Sequence, residues 1–150
     1  MKKNTTDRRK EARALIQPGS ILLLENDFAT TEKFVIVASA DPVLLCFVIN
    51  SKINPFIREQ PSRAQCQVCL RRADHAHFLI RDSYADCSEV LNKIPMLRAI
   101  SQLVADGSRL KGRVTDGERQ AVIAAIKLTR LLSRAQKRHL LTAWGEKLEN

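Results

Sequence analysis

The chain has 150 residues, 45% of them hydrophobic, and 25 Lys and Arg against 16 Asp and Glu give it a formal charge of +9. That length fits one ordinary domain, or a small domain with helical additions, and so large an apolar share excludes wholesale disorder, as five glycines and five prolines exclude a collagen-like or low-complexity chain. The longest apolar run, from Val43 to Ile49, is far shorter than the roughly 20 residues of a membrane span.

In chain order, Asp7 to Ile16 reads as a short helix, charged early and apolar late, stopped by Pro18-Gly19. Ser20 to Glu25 is an Ile/Leu run, Asn26 to Thr31 a turn, and Lys33 to Ser39 (KFVIVAS) a β-branched run. Ala40-Asp41-Pro42 is a second turn signal, and Val43 to Asn50 (VLLCFVIN) is again strongly apolar. These predict three buried strands on short loops, because Val, Ile and Phe fit a pleated surface. Residues 51–63 predict a polar loop with two prolines. Gln65 to Leu70 and Ala76 to Ile80 predict a fourth and a fifth strand around a charged turn, and Asp82 to Ser88 predicts a loop.

From residue 89 the period becomes helical. Pro95 suits a first helical turn, Met96, Leu97, Ile100, Leu103 and Val104 make an apolar stripe, and Gly107 stands where a C-terminal cap is expected. Arg109 to Val114 reads as a connector. Thr115-Asp-Gly-Glu118 matches a capping box for a helix to about Leu132, and Ser133 with Gln136 starts another towards Leu148. The expected fold class is α+β: a small antiparallel β-barrel over residues 18–92, a basic N-terminal helix over 1–17, and a basic helical extension over 93–150 packed on or beside the barrel.

The charge lies in the flanks. Residues 1–17 carry +4, residues 18–87 carry −1 and residues 88–150 carry +6. Affinity for a polyanion grows with the phosphates that Lys and Arg neutralise, so nucleic acid is expected to meet the flanks. The stripe Lys127, Arg130, Arg134, Lys137 and Arg138 has offsets of one helical face, and a break at Ser133 would turn it into two patches across a corner. Each patch equally suits an ordinary solvated face.

Three constellations could carry chemistry. Cys66-Gln-Val-Cys69, with His75, His77 and Cys87, starts like a zinc site, but its second half lacks the usual ligand spacing. Two cysteines three apart in a strand also face opposite ways. No metal is therefore expected, and reduced, core-filling cysteines are the simpler reading. His75-Ala-His77 on a strand would point both imidazoles one way, beside the Asp82-Ser83-Tyr84 turn. Asn50-Ser51-Lys52 closes an apolar strand, where an amide, a hydroxyl and an ammonium (Lys52) can reach a phosphodiester. There is no P-loop, no G-x-G-x-x-G and no G-x-S-x-G, so ATP-dependent, dinucleotide and serine-hydrolase chemistry lose their sequence support, and no cofactor is expected.

Gly19-Ser20-Ile21, then Lys33 with Val35-Ile36-Val37-Ala38-Ser39, then Phe47-Val48-Ile49-Asn50-Ser51 resemble the opening strands of the MazF/PemK family of growth-inhibiting ribonucleases over residues 19–51. The resemblance implies an SH3-like barrel and a toxin-type endoribonuclease of bacterial or phage origin that cleaves RNA without a metal; a cytoplasmic location is expected from the short apolar runs and from the basic start, residues 1–20, which lacks the apolar stretch of a signal peptide. It also implies a cognate antitoxin protein and a second copy of the chain as partners, and no membrane. It puts Ser51 at the hydroxyl position, and Lys33-Phe34 stands where the family has Arg-Pro. Lys33 and Ser51 would then hold the phosphate and His77 would be the base. Two other functions fit the same residues: a non-catalytic nucleic-acid-binding barrel that uses Lys52 and the basic helices, and a protein-interaction module.

Overall fold

A computed structural model describes residues 4–26 and 29–147, the side chains of Ala29 and Thr30 excepted. Helix α1 (Thr5–Leu15) is capped by the Asn4 side chain and leads into β1 (Ser20–Asn26), β2 (Ala29–Ser39) and β3 (Leu45–Asn50). Two four-residue helical turns follow, α2 (Pro55–Arg58) and α3 (Pro61–Ala64), then β4 (Gln67–Leu70) and β5 (Ser83–Leu91). Helix α4 (Met96–Ala105), β6 (Leu110–Arg113), α5 (Asp116–Leu128) and α6 (Arg134–Ala143) complete the chain. The expected turn at Asn26 to Thr31 falls partly outside the described residues, and the helix expected to reach Leu148 ends at Ala143, where Trp144 caps it and Gly145 turns the chain with φ +77°.

The six strands form one antiparallel sheet in the order β4-β5-β3-β2-β1-β6, curled into a half-barrel, so the fold is α+β. Both of its faces are apolar, and alternation along each strand sorts them. Ile21, Ile36, Ala38, Phe47, Ile49, Ala85 and Cys87 face α5 and α6, where Val122, Ile126, Leu140 and Trp144 pack on them. Leu22, Leu24, Val35, Val37 and Cys46 face α1 and α4, where Ile16, Ala99, Ile100 and Leu103 pack. Burial on two sides is why the strands read as continuous apolar runs and not as polar–apolar alternation. Trp144 pins α6 to the sheet: it is 1% exposed, and its indole Nε1–H donates to the Ala38 carbonyl at 2.9 Å. Among the described residues, no helix is long and apolar enough to cross a membrane.

Several sequence expectations are corrected. The loop at 51–63 contains the turns α2 and α3, each opened by a proline whose missing N–H costs nothing at a first helical position. Ala76 to Ile80 is not a strand, because the His75 carbonyl accepts the N–H groups of Phe78 and Leu79 and closes a turn. The Asp82–Ser88 stretch belongs to β5, and the strand runs on to Leu91 before any helix starts. Its polar residues are tolerated in a strand because they are bonded: Gln67 Nε2 donates to Asp86 Oδ1 at 2.9 Å, Arg63 donates to Asp86 Oδ2 at 3.1 Å, and Ser88 Oγ donates to Asp86 Oδ1 at 2.5 Å. The connector at 109–114 holds β6, so a sixth strand comes from the stretch read as helical. Helix α5 stops at Leu128 rather than Leu132, and Asp106, not Gly107, caps α4.

The β1–β6 pairing carries a bulge. Ile21 stands opposite Gly112 and Leu22 opposite Leu110, which leaves Lys111 as the extra residue. Gly112 has φ +136°, backbone that a side chain strains. The carbonyl of the unpaired Lys111 accepts from His77 Nε2 at 2.5 Å, so the bulge ties the β4–β5 connection to the far edge of the sheet. A second imidazole makes a parallel tie. His75 is buried and its Nε2 lies 2.9 Å from both oxygens of Glu118, whose Oε1 also accepts from the Thr115 backbone in the capping box of α5. The segment from His75 to Arg81 is therefore a strap across the open side of the half-barrel.

Candidate functional site

The strap, the middle of β2 and the end of β3 enclose a cleft. One lobe, of about 510 Å³, is lined by Lys33, Asn50, Ser51, Lys52 and Asn54 over Phe34 and Ile49. A second lobe, of about 300 Å³, shares Phe34, Ile49 and Ser51 with the first and is walled by Phe78, Ile80, Arg81 and Ser83. The β2–β3 register explains the meeting of Lys33 with Ser51: Val35 stands opposite Val48, so two residues on Lys33 comes level with Asn50, next to Ser51. On the other flank, Asn50 stands opposite Tyr84 of β5, which brings Ser83 and Arg81 alongside.

The floor is aromatic and the rim is cationic. Phe34 and Phe78 pack together with ring centroids 5.2 Å apart and their planes tilted by 47°. Lys33, Ser51, Lys52 and Arg81 are all exposed around them. Glu32 also lines the larger lobe, but Arg109 pairs with it at 2.8 Å, so its charge is spent within the protein and the rim is left net positive. The cleft thus gathers cations although residues 18–87 sum to −1.

The structure brings together Lys33, Ser51 and Lys52 as the sequence predicted and sets His77 apart. His77 packs edge-on against Phe78, centroids 4.9 Å apart, behind the ring that walls the cleft, and does not itself line it. A carbonyl can only accept, so the Nε2 that faces Lys111 carries a proton. His75 and His77 do not point the same way: the first is buried on Glu118 and the second is exposed on Lys111. Arg81 was missed by sequence reasoning, which placed it between a strand and a loop. The only signal was its position beside the Asp82-Ser83 turn.

The zinc constellation does not converge. Cys66 is buried, with its Sγ on the Ala125 carbonyl at 3.6 Å, Cys69 is exposed, and His75 is engaged by Glu118. Among the described residues, no group of three or more His, Cys, Asp or Glu could hold a metal ion, and the four cysteines are free thiols. Burial pushes the Cys46 thiol up to about 12 and Cys87 well above the usual thiol range, so neither offers a thiolate at neutral pH.

The basic stripe is split. Lys127 lies in the last turn of α5 and Arg130 in the link, while Arg134, Lys137 and Arg138 lie on α6. Lys137 Nζ donates to the Lys127 carbonyl at 3.0 Å, capping the C-terminal end of α5. Thr129 Oγ1 donates to the Ser88 carbonyl, which sets this corner five residues along β5 from Ser83, about 17 Å away at roughly 3.3 Å per residue. The stripe is a separate surface from the cleft.

No family model, curated protein or solved structure matches the chain.

Proposed function

We propose that the half-barrel is an SH3-like barrel of the MazF/PemK kind and that the chain is an endoribonuclease-type toxin working in this cleft. The observation that carries the reading is the meeting of Lys33, Ser51, Lys52 and Arg81 on one rim above the paired rings of Phe34 and Phe78. Cations around an aromatic floor suit a single nucleic-acid strand, with phosphates on the rim and a base on the rings. Lys33, Lys52 and Arg81 neutralise the phosphate, and the Ser51 hydroxyl donates to a non-bridging oxygen as charge grows on it. The RNA 2′-hydroxyl attacks the adjacent phosphorus and loses its proton to water, and the 5′-oxygen leaves and is protonated by water. The products are a 2′,3′-cyclic phosphate and a 5′-hydroxyl.

Incubation of the purified chain with a 5′-labelled oligoribonucleotide tests the reading. The expected result is cleavage to cyclic-phosphate ends, blocked by a 2′-deoxy sugar at the cut. The variants Ser51→Ala and Lys33→Ala are expected to slow it by about 10² or more, as loss of an oxyanion donor does. Intact RNA after long incubation, or unchanged cleavage in both variants, would refute it.

A further inference from the structure

The two lobes of the cleft differ in their cations. Lys33 and Lys52 line only the larger lobe, Arg81 lines only the smaller, and Phe34, Ile49 and Ser51 are common to both. Arg81 is exposed, and among the described residues its guanidinium has no partner, whereas Arg63 is bonded to Asp86 and Arg109 to Glu32. The adjacent acid is engaged elsewhere: Asp82 Oδ1 accepts the Arg72 backbone N–H at 2.8 Å. The backbone that carries the guanidinium is held in place, because the buried Ser83 donates its hydroxyl to the Arg81 carbonyl at 3.2 Å. Beside Arg81, Ile80 walls the same lobe and is 82% exposed. An unengaged planar fork of donors next to aromatic and exposed apolar walls suits a flat ligand that has a ring face and paired acceptors on its edge.

We propose that the smaller lobe selects guanine, an inference that rests on the nuclease reading of the cleft and adds which base it takes. In a single strand the base edges are free to be read. Guanine carries two acceptors, O6 and N7, spaced for two parallel N–H groups of an arginine. Adenine puts an amino donor where O6 would be, and that donor meets the guanidinium donors head-on. Cytosine and uracil cover the walls formed by Phe78, Leu79 and Ile80 with one ring instead of two, so they keep less apolar surface from water. The contact engages one edge of the guanidinium, which leaves its other N–H groups and its charge to the phosphate. Arg81 is therefore a specificity residue, while Lys33 and Ser51 act on the phosphate whichever base is bound.

The test is fluorescence anisotropy with four labelled twelve-nucleotide oligodeoxyuridines that differ in one central base, guanine, adenine, cytosine or uracil; without 2′-hydroxyls the strands cannot be cut. The expected result is salt-sensitive binding, with the guanine strand held about tenfold more tightly than the adenine strand. Arg81→Ala removes an exposed, unbonded side chain and is expected to bring the four strands within about twofold of one another. Lys52→Ala is expected to weaken all four alike and keep their order, as loss of a phosphate contact does. Equal binding of the four strands, tighter binding of adenine or of a pyrimidine, a guanine preference that survives Arg81→Ala, or no binding of any strand at low salt would each overturn the proposal. The matching ribo-oligonucleotides score the nuclease separately. If they are cut in any of those cases, the nuclease reading stands without the guanine pocket, whereas guanine-selective binding with no cut upholds the pocket and refutes the nuclease.

Discussion

Lys33, Ser51 and Lys52 owe their grouping to β-strand arithmetic, in which the antiparallel register brings the end of β3 level with the middle of β2. His77 shows where that arithmetic stops. It sits in a turn, and its direction is set by the bulged carbonyl of Lys111, 34 residues further along the chain. Nothing local in His75-Ala-His77 announces that one imidazole is claimed by Glu118 and the other by Lys111. The cysteines make a testable contrast at the same scale. Burial raises the thiols of Cys46, Cys66 and Cys87, while Cys69, exposed, is raised less by its surroundings than by its partial burial, with Asp82 beside it. In the folded protein at pH 8 a disulfide-exchange reagent is expected to label Cys69 alone, and all four thiols only in denaturant. Rapid labelling of four in the native state would contradict the packing. The sign of the linkage follows. Cys46 has a folded value of about 12 against 9.0 unfolded, so its contribution to stability is complete below pH 9 and is lost as pH rises towards 12. Urea midpoints are expected to fall over that interval, and a Cys46→Ala variant, less stable throughout, is expected to fall less steeply.

The elements divide into those legible from pattern and those that needed tertiary partners. The apolar runs of β1, β2 and β3 and the capping boxes at Thr115 and Ser133 could be read directly, because two-sided burial and cap chemistry leave local signatures. Strand β5 could not be read, because Asp86 and Ser88 look like loop residues until Arg63 and Gln67 are seen to bond them. Strand β6 has only four residues, Leu110-Lys-Gly-Arg113, and its glycine reads as a breaker. That glycine is the hinge of the bulge. Gly112→Ala has open space around the new methyl group but must hold φ +136°, so it is expected to lower the unfolding free energy by about 1–3 kcal/mol. Urea denaturation checks this. A variant as stable as the parent would mean that the bulge relaxes without the left-handed backbone.

Across the whole molecule, the two flanks read as basic in the sequence do different things. Helix α1 packs beside α4 on one face of the sheet, while the C-terminal pair covers the other face and presents the cationic corner. The strap from His75 to Arg81 is the feature that turns an open half-barrel into one with a cleft, since it carries both Phe78 and Arg81. It was not legible because its anchors, Glu118 and Lys111, lie on elements that follow it by some 30 residues or more. The central claim is that a nucleic-acid strand lies in this cleft and not on the corner. It is met most directly by amide chemical-shift mapping of the labelled protein titrated with a twelve-nucleotide oligouridine whose 2′-hydroxyls are replaced by hydrogen. Shifts are expected at Lys33, Phe34, Ser51, Lys52, Phe78 and Arg81 that saturate together and weaken with salt. Shifts confined to residues 127–138, with those six unmoved, would contradict it.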